Sequence, residues 1–220
     1  MAVNQQAYQQ LRKELDPQNV TLVAVSKIKP VSDIKALYDL GQRDFGENYV
    51  QELVEKQAQL PADIRWHFIG HLQSNKVKYI APFVHLVHGV DSFNLLKEIN
   101  RQAAKNNRVI DCLLQVHIAQ EETKFGLDKA ELNEIIEKAE AFKHVQIKGL
   151  MGMASFSDDE TKVRNEFAAL RRLFEANIQH STFNIQYPIL SMGMSGDYKI
   201  SIQEGSNMVR IGSLLFGARG

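Results

Sequence analysis

The stretch TLVAVSKIKP, residues 21–30, distinguishes between the two parallel α/β folds that the sequence allows. Its first half, Thr21–Val25, is a short apolar run, which predicts a strand buried on both faces. An open doubly wound sheet usually follows its first strand with a glycine-rich turn that binds phosphate. Residues 26–30 contain no glycine. The stretch therefore favours a closed (β/α)8 TIM barrel over the open sheet, which remains the alternative on pattern alone.

Seven further apolar runs follow along the chain, most of them as short as buried parallel strands tend to be. They are Arg43–Gly46, Trp66–Gly70, Val84–Val90, Val109–Ile118, Val145–Met151, Pro188–Met192 and Met208–Ile211. Eight strands in 220 residues leave about 27 residues per unit, which is sufficient for a (β/α)8 barrel. No linker rich in Pro, Gly or Ser interrupts the pattern, so we expect a single α/β domain over residues 1–220.

Amphipathic stretches between these runs predict the helices. One begins near Val31, one is opened by Ser92, and one spans about residues 128–142. Ser157-Asp-Asp-Glu160 has the spacing of a capping box, which predicts Ser157 as the N-cap of another helix. Residues 3–15 are a further helical candidate. The residues expected to face the core are Ile34, Leu37, Tyr38, Leu95, Leu96, Ile99, Ala103, Leu132, Ile135, Ile136, Ala139, Val163, Phe167, Leu170 and Phe174.

Composition and charge exclude several classes of protein. The chain has 26 Lys+Arg and 26 Asp+Glu, which argues against a nucleic-acid binder that relies on bulk positive charge. No apolar run reaches the roughly 18 residues of a membrane span, and the polar N-terminus lacks the apolar segment of a secretory signal. Cys112 is the only cysteine, so neither a disulfide framework nor a cysteine-based zinc site is available. We therefore expect a cytoplasmic protein with no nucleic-acid or membrane partner.

Lys27 is the strongest candidate for a functional residue. It follows the first predicted strand, and the functional groups of a barrel lie at the carboxyl ends of its strands. A lysine that closes an apolar strand points into or just above the barrel mouth. Partial burial there disfavours the ammonium and lowers the pKa of the amine, and Lys29 adds like-charge repulsion. Such an amine forms Schiff bases with aldehydes. The alternative is an ordinary lysine that leaves the strand end for solvent.

Glycine and serine cluster at the ends of the seventh and eighth strands, in Gly193–Gly196 and Arg210–Ser213. In barrels these two strand ends frequently bind phosphate through backbone amides and a helix N-terminus. The hydroxyls of Ser195 and Ser213 suit a phosphate, and Gly212 lets the backbone approach it closely. The alternative is a pair of ordinary turns.

Other constellations do not predict metal or nucleophile sites. His67 and His71 are four residues apart, but they fall in and just after a predicted strand and lack the glutamate of a helical zinc motif. His85 and His88 are three apart in a strand and are expected to point to opposite faces. Asp197 stands where a G-x-S-x-G nucleophile turn requires glycine. We therefore predict no metal site.

A set of motifs lies in order and at fitting spacing from about residue 20 to residue 217. The motifs are Ala24–Lys27 with Lys29-Pro30, Phe45–Glu52, Trp66–Gly70 with Leu72–Lys76, Lys124–Gly126, Gly149–Ala154, Ser191–Ser195 with Asp197, and Val209–Gly212. Together they resemble the pyridoxal phosphate homeostasis proteins, which are single-domain relatives of the alanine racemase N-terminal barrel.

The resemblance implies that the chain binds pyridoxal 5′-phosphate (PLP). The implied cofactor-binding residues are Lys27, Asn48, His67, Met194, Ser195, Arg210, Gly212 and Ser213. By resemblance, Lys27 forms the Schiff base with PLP and Arg210 faces the pyridine nitrogen. The two serines and Gly212, with backbone amides near Met194, form the phosphate cradle, while Asn48 and His67 line the ring pocket. Lys124 resembles a rim lysine that handles incoming or outgoing PLP.

The implied function is intracellular PLP homeostasis, in which the protein buffers PLP and delivers it to apo-enzymes without strong catalysis. An arginine beside the pyridine nitrogen discourages its protonation, which limits carbanion chemistry. Alanine racemases share this arginine but add a β-rich domain whose partner subunit supplies a tyrosine. This chain ends at Gly220, so we expect no such domain, and we expect a monomer. The alternatives are a low-activity PLP-dependent amino-acid racemase, with Tyr49 or His67 as its second proton-transfer group, and a barrel for an unrelated phosphorylated ligand.

Overall fold

Eight parallel strands close into a barrel in the computed structural model of the protein, which describes residues 3–119, 126–139, 141–177 and 188–217. The strands are β1 Thr21–Val25, β2 Asp44–Glu47, β3 Arg65–Phe68, β4 Leu86–Val90, β5 Ile110–Gln115, β6 Val145–Met151, β7 Ile189–Ser191 and β8 Met208–Ile211. Each strand pairs in parallel with the next, and β8 pairs with β1. This closed order confirms the barrel and excludes the open sheet.

Helices cover the outside of the barrel. They are α1 Gln5–Leu15, α2 Val31–Asp39, α3 Val50–Gln57, α4 Val77–Ile80, α5 Phe93–Lys105, α6 Lys129–Ala139, α7 Glu160–Asn177, α8 Tyr198–Gln203 and α9 Ser213–Phe216. Short 3-10 turns occupy Asp16–Gln18 and Ser74–Lys76. None of the helices in the described part of the chain combines the length and hydropathy of a membrane span.

Local capping signals place one helix start correctly and another two residues too early. The Ser92 hydroxyl accepts from the Leu95 amide at 3.3 Å, which confirms Ser92 as the N-cap of α5. The prediction for α7 was wrong, because the helix begins at Glu160 and Ser157 is not its N-cap. Asp159 Oδ1 instead accepts from the amides of the first turn, at 3.0 Å from Thr161 and 3.1 Å from Lys162. A carboxylate caps as well as a hydroxyl does, and it is also favoured by the helix dipole.

The apolar core has two parts. The larger part lies between the strands and the surrounding helices, and it buries all the residues predicted to face the core except Tyr38 and Ile136, which are partly buried against it. The smaller part lies inside the barrel. It consists of Val23, Leu86, Leu113, Met151 and Met208. This inner apolar cluster is small, so polar side chains occupy the rest of the barrel interior.

Candidate functional site

A cavity of about 640 Å³ lies at the carboxyl ends of the strands. Its walls come from the segments that follow β1, β6, β7 and β8. The cavity brings together six of the eight residues that sequence predicts as cofactor-binding: Lys27, Met194, Ser195, Arg210, Gly212 and Ser213. These residues are far apart along the chain, and it is the closure of β8 onto β1 that makes them neighbours.

Lys27 lies in a short loop that is fixed on both sides. Before it, the Ser26 hydroxyl donates to Glu47 Oε1 at 2.6 Å. After it, the Ile28 amide donates to Glu52 Oε1 at 2.6 Å. Ile28 has a φ of 59°, a left-handed conformation that is costly for a β-branched residue. The loop therefore holds a strained turn beside Lys27, and the two glutamates stabilise it.

The two glutamates are joined by Lys56 into a unit that we call the β1 clamp, consisting of Glu47, Glu52 and Lys56. The Lys56 ammonium donates to Glu47 at 2.7 Å and to Glu52 at 2.6 Å, and also to the Ser26 carbonyl at 2.7 Å. Burial raises the pKa of Glu47, although the charge of Lys56 opposes the shift. The side chain of Glu47 is 0% exposed and that of Lys56 is 6% exposed. The β1 clamp is thus a buried charged support directly beneath the Lys27 loop.

The turns after β7 and β8 are joined to each other at the cavity. The Gly212 amide donates to the Ser195 hydroxyl at 3.2 Å. The Met194 amide donates to Asp197 Oδ1 at 2.5 Å, which shapes the turn between them. Gly193 has a φ of 94°, and a Cβ there would lie 2.0 Å from Ser201 Oγ, so glycine is required. The serine and glycine positions predicted for phosphate therefore form one surface.

Arg210 reaches the cavity from inside the barrel. Its side chain is almost fully buried, and its two terminal nitrogens donate to Ser191 Oγ at 2.7 Å and to the Gly152 carbonyl at 3.1 Å. Burial lowers the pKa of Arg210 to about 10, while the charge of Asp197 opposes the shift. The guanidinium therefore remains a cation at neutral pH, held in a defined orientation.

Positive charge exceeds negative charge around the cavity. The cations in its lining are Lys27, Lys29 and Arg210, and the carboxylates are Asp158 and Asp197. This balance suits an anionic ligand.

The comparisons with known proteins agree on one family. A model of the alanine racemase N-terminal domain matches residues 4–220. A pyridoxal phosphate homeostasis protein of Aquifex aeolicus is 42% identical over 199 residues, covering 90% of this chain and 86% of that protein. The Escherichia coli protein of the same name is 37% identical over 207 residues, covering 92% and 87%. This chain belongs to the pyridoxal phosphate homeostasis protein family.

Solved structures support the same placement. PipY of Synechococcus elongatus, determined with PLP bound, superposes with a TM-score of 0.88 at 36% identity, covering 96% of this chain and 99% of that one. The alanine racemase of Bartonella henselae has a TM-score of 0.74 at 21% identity, and this chain covers 56% of its length. The second likeness concerns the fold alone.

Two residues predicted to line the ring pocket do not line this cavity. His67 points into the barrel interior, where Nε2 lies 3.0 Å from Asp44 Oδ1 and Nδ1 lies 2.9 Å from His88 Nε2. The backbone of Asn48 lies against the β3 turn, where a Cβ on Gly70 would lie 2.3 Å from the Asn48 carbonyl, and its side-chain Oδ1 is buried with no hydrogen-bond partner among the described residues. We therefore leave His67 out of the binding set proposed below, while the assignment of Asn48 to the ring pocket stays a prediction. Lys124 lies outside the described residues.

The sequence prediction missed one complete wall of the cavity. The segment between β6 and α7 contributes Met153, Ala154, Ser155, Phe156, Ser157 and Asp158. Glu166 of α7 fixes this wall, because its carboxylate accepts from the Ser155 amide at 2.6 Å and from the Ser155 hydroxyl at 2.7 Å. Phe156 is 99% exposed at the rim. The motif at Gly149–Ala154 was the available signal for this wall.

Proposed function

We propose that this protein binds PLP covalently through Lys27 and serves intracellular PLP homeostasis, holding the cofactor reversibly and passing it to apo-enzymes that use it. The observation that carries the proposal is the meeting of an amine, a buried guanidinium and the Ser195–Gly212 surface in one cavity. The family membership and the PLP-containing structure of PipY support it.

The cavity fits PLP in size and charge. Its volume of about 640 Å³ is in the range of small-molecule sites. The excess of cations in the lining suits a phosphate. Gly196 has open space beside its Cα, so the backbone of this turn is accessible to a phosphate oxygen. The residues present are therefore compatible with the cofactor.

Each residue has a separate role in this proposal. PLP supplies an aldehyde carbon that condenses with a primary amine. Lys27 provides that amine, and the strained loop above the β1 clamp orients it. Ser195, Gly212 and Ser213 bind the phosphate. Arg210 donates toward the pyridine nitrogen and, as a persistent cation, keeps a proton off it.

We propose a carrier rather than a racemase because racemisation needs proton-transfer groups on both faces of the cofactor. Lys27 supplies one such group. Tyr49 is 58% exposed, and neither Tyr49 nor His67 lies in the cavity lining. The experiment that separates the two functions is α-deuterium exchange of L- and D-alanine in deuterated water. The carrier predicts no exchange at catalytic rates, and rapid exchange would favour the racemase.

The covalent attachment has a direct test. Purified protein is loaded with PLP, its visible spectrum is recorded, and borohydride reduction is followed by peptide mapping. We expect a pyridoxyl adduct on Lys27. Lys27→Ala should fold normally and lose the visible absorption, whereas Lys29→Ala, a matched loss of charge in the same cavity, should keep it. An adduct that remains after Lys27→Ala would exclude the proposed attachment.

A further inference from the structure

A continuous series of hydrogen bonds runs through the barrel interior, and we call it the axial relay. Arg210 Nη1 donates to Ser191 Oγ at 2.7 Å, and Ser191 Oγ lies 3.3 Å from His88 Nδ1. His88 Nε2 lies 2.9 Å from His67 Nδ1, and His67 Nε2 lies 3.0 Å from Asp44 Oδ1. The axial relay therefore consists of Arg210, Ser191, His88, His67 and Asp44.

The axial relay joins two cavities at opposite ends of the barrel. Arg210 lines the cavity at the carboxyl ends of the strands. Asp44 is the first residue of β2 and lines a second cavity, of about 250 Å³, at the amino ends. Arg65 closes that end of the relay by donating to both oxygens of Asp44, at 2.7 and 2.5 Å. All five relay residues are buried, and the three between its ends, Ser191, His88 and His67, are at most 1% exposed, so bulk water does not satisfy the polar groups of these three.

The two ends of the axial relay fix the direction of its hydrogen bonds. A guanidinium has only donors, so Arg210 must donate. Burial alone would raise the pKa of Asp44, but the hydrogen bonds from Arg65 and His67 outweigh it and hold the pKa below its ordinary value. The carboxylate is therefore ionised at neutral pH and must accept.

One arrangement of protons satisfies every member between these ends when both imidazoles are neutral. The Ser191 hydroxyl donates to His88 Nδ1, His88 Nε2–H donates to His67 Nδ1, and His67 Nε2–H donates to Asp44. Burial is the main cause that holds the pKa of His88 well below its ordinary value, and the charge of Arg210 acts in the same direction, so this ring is neutral. Each imidazole is then fixed as its Nε2–H tautomer.

A doubly protonated His67 would reverse the middle of the relay. His88 would then accept at Nε2 and donate from Nδ1 to Ser191, which already accepts from Arg210. The Ser191 hydroxyl proton would be left without an acceptor among the residues that the structure describes. An unmade hydrogen bond of a buried hydroxyl costs about 1–3 kcal/mol, and this cost counts against the reversed arrangement.

We propose that Ser191, His88, His67 and Asp44 are positioning residues for Arg210, so that a carboxylate at the amino-terminal mouth determines how the guanidinium is presented to the cofactor ring. The proposal rests on the proposed function, since it takes the ligand of Arg210 to be PLP. It gives His67 a role that differs from the predicted one: His67 acts through the relay and does not line the ring.

The first test needs no cofactor. Nitrogen-15 NMR of the imidazoles in the apo-protein reports which ring nitrogen carries the proton. We expect His67 and His88 each to be protonated at Nε2 alone at neutral pH. A proton on Nδ1 of either relay histidine would overturn the proposed direction.

The second test links the relay to the cofactor. Asp44→Asn should disturb the tautomer of His88, weaken PLP binding by at least about threefold and shift the absorption maximum of bound PLP. Asp111→Asn is the matched control, because Asp111 lines the same amino-terminal cavity outside the relay and should change neither property.

A third test uses two variants of Ser191 that leave the charge of the relay unchanged. This test can be made even if Asp44→Asn folds poorly. Ser191→Ala should weaken PLP binding by roughly tenfold, and Ser191→Thr, which keeps the hydroxyl, should restore most of it. Unchanged affinity and spectrum in Ser191→Ala would exclude the positioning role. Failure of the wild-type protein to bind PLP would refute the proposed function, and the positioning role with it. The NMR of the apo-protein would still determine the direction of the hydrogen bonds in the relay.

Discussion

Lys56→Met tests whether the β1 clamp is a charged support for the Lys27 loop. The substitution keeps an unbranched side chain of similar length but removes an ammonium that donates to Ser26, Glu47 and Glu52. Glu52 is 22% exposed and regains water, whereas Glu47 is 0% exposed and does not. The expected cost therefore falls mainly on Glu47, whose carboxylate would be buried without its counter-ion.

The size of this cost has an upper bound, because Glu47 can take up a proton. Removing one partner of a buried ion pair typically costs about 3–5 kcal/mol. From the ordinary glutamate pKa of 4.5, protonation at pH 7 costs about 3.4 kcal/mol, and at pH 5.5 it costs about 1.4 kcal/mol. We therefore expect Lys56→Met to lower the free energy of unfolding by about 3 kcal/mol at pH 7 and by about 1.5 kcal/mol at pH 5.5.

The pH dependence follows from the sign of the shift. Glu47 has a raised pKa in the folded state, and losing Lys56 raises it further. A carboxyl of raised folded pKa favours the folded state at low pH, and that stability is lost as pH rises. Urea unfolding at both pH values measures the difference. Lys35→Met is the matched control, since its pair with Asp39 is half-exposed and contributes about 0.5 kcal/mol or less.

Two results would contradict this reasoning. A loss below about 1 kcal/mol at pH 7 would mean that the ammonium does not support the buried carboxylate. A loss that is equal at both pH values would mean that Glu47 does not carry the cost. Adding Glu47→Gln to Lys56→Met should recover most of the stability at pH 7, because it removes the unpaired charge.

Four further substitutions have defined outcomes. Ser195→Ala should weaken PLP retention by roughly tenfold in equilibrium dialysis, and unchanged affinity would count against the phosphate surface. Gly193→Ala places a Cβ 2.0 Å from Ser201 Oγ at a φ of 94°, so thermal unfolding should show a loss of about 1–3 kcal/mol, and an unchanged Tm would disprove the strain. Phe167→Ala should cost about 3–5 kcal/mol in urea unfolding. The exposed Phe156→Ala should cost about 0.5 kcal/mol or less, and equal costs would contradict the assigned burial.

The fold could be predicted from the sequence because its signals are local. β1, β6 and β8 coincide with their predicted runs, because each is a short apolar segment that the sequence alone marks out. The barrel could be chosen over the open sheet because residues 26–30 lack the glycines of a phosphate turn. The start of α7 could not be predicted, since both Ser157 and Asp159 are competent caps; in the structure Asp159 caps the helix, and Ser157 accepts from the Asp159 amide instead.

The cavity could be predicted only in part. Lys27 and Arg210 stand at strand ends, where the barrel geometry concentrates function. The β1 clamp joins Ser26 to Lys56 across thirty positions, and no spacing rule predicts such a contact. The resemblance placed His67 beside the PLP ring. The strand pattern itself predicts only that the His67 side chain faces the barrel interior. How deep in the barrel the ring lies depends on the register with neighbouring strands.

Two buried polar networks meet the cavity from different directions, and their energetics suggest why they are present. The β1 clamp lies under the amine at Lys27, and the axial relay lies under the guanidinium at Arg210. Burying paired charges is a poor way to stabilise a core, because well-packed apolar residues of similar volume usually serve as well or better. Orientation is a different requirement, since a reversible carrier must hold its ligand in one geometry while leaving the cavity mouth open. The β1 clamp fixes the residues on either side of Lys27, and the axial relay fixes the Arg210 guanidinium. Neither network takes up space at the mouth, which is what the proposed carrier requires.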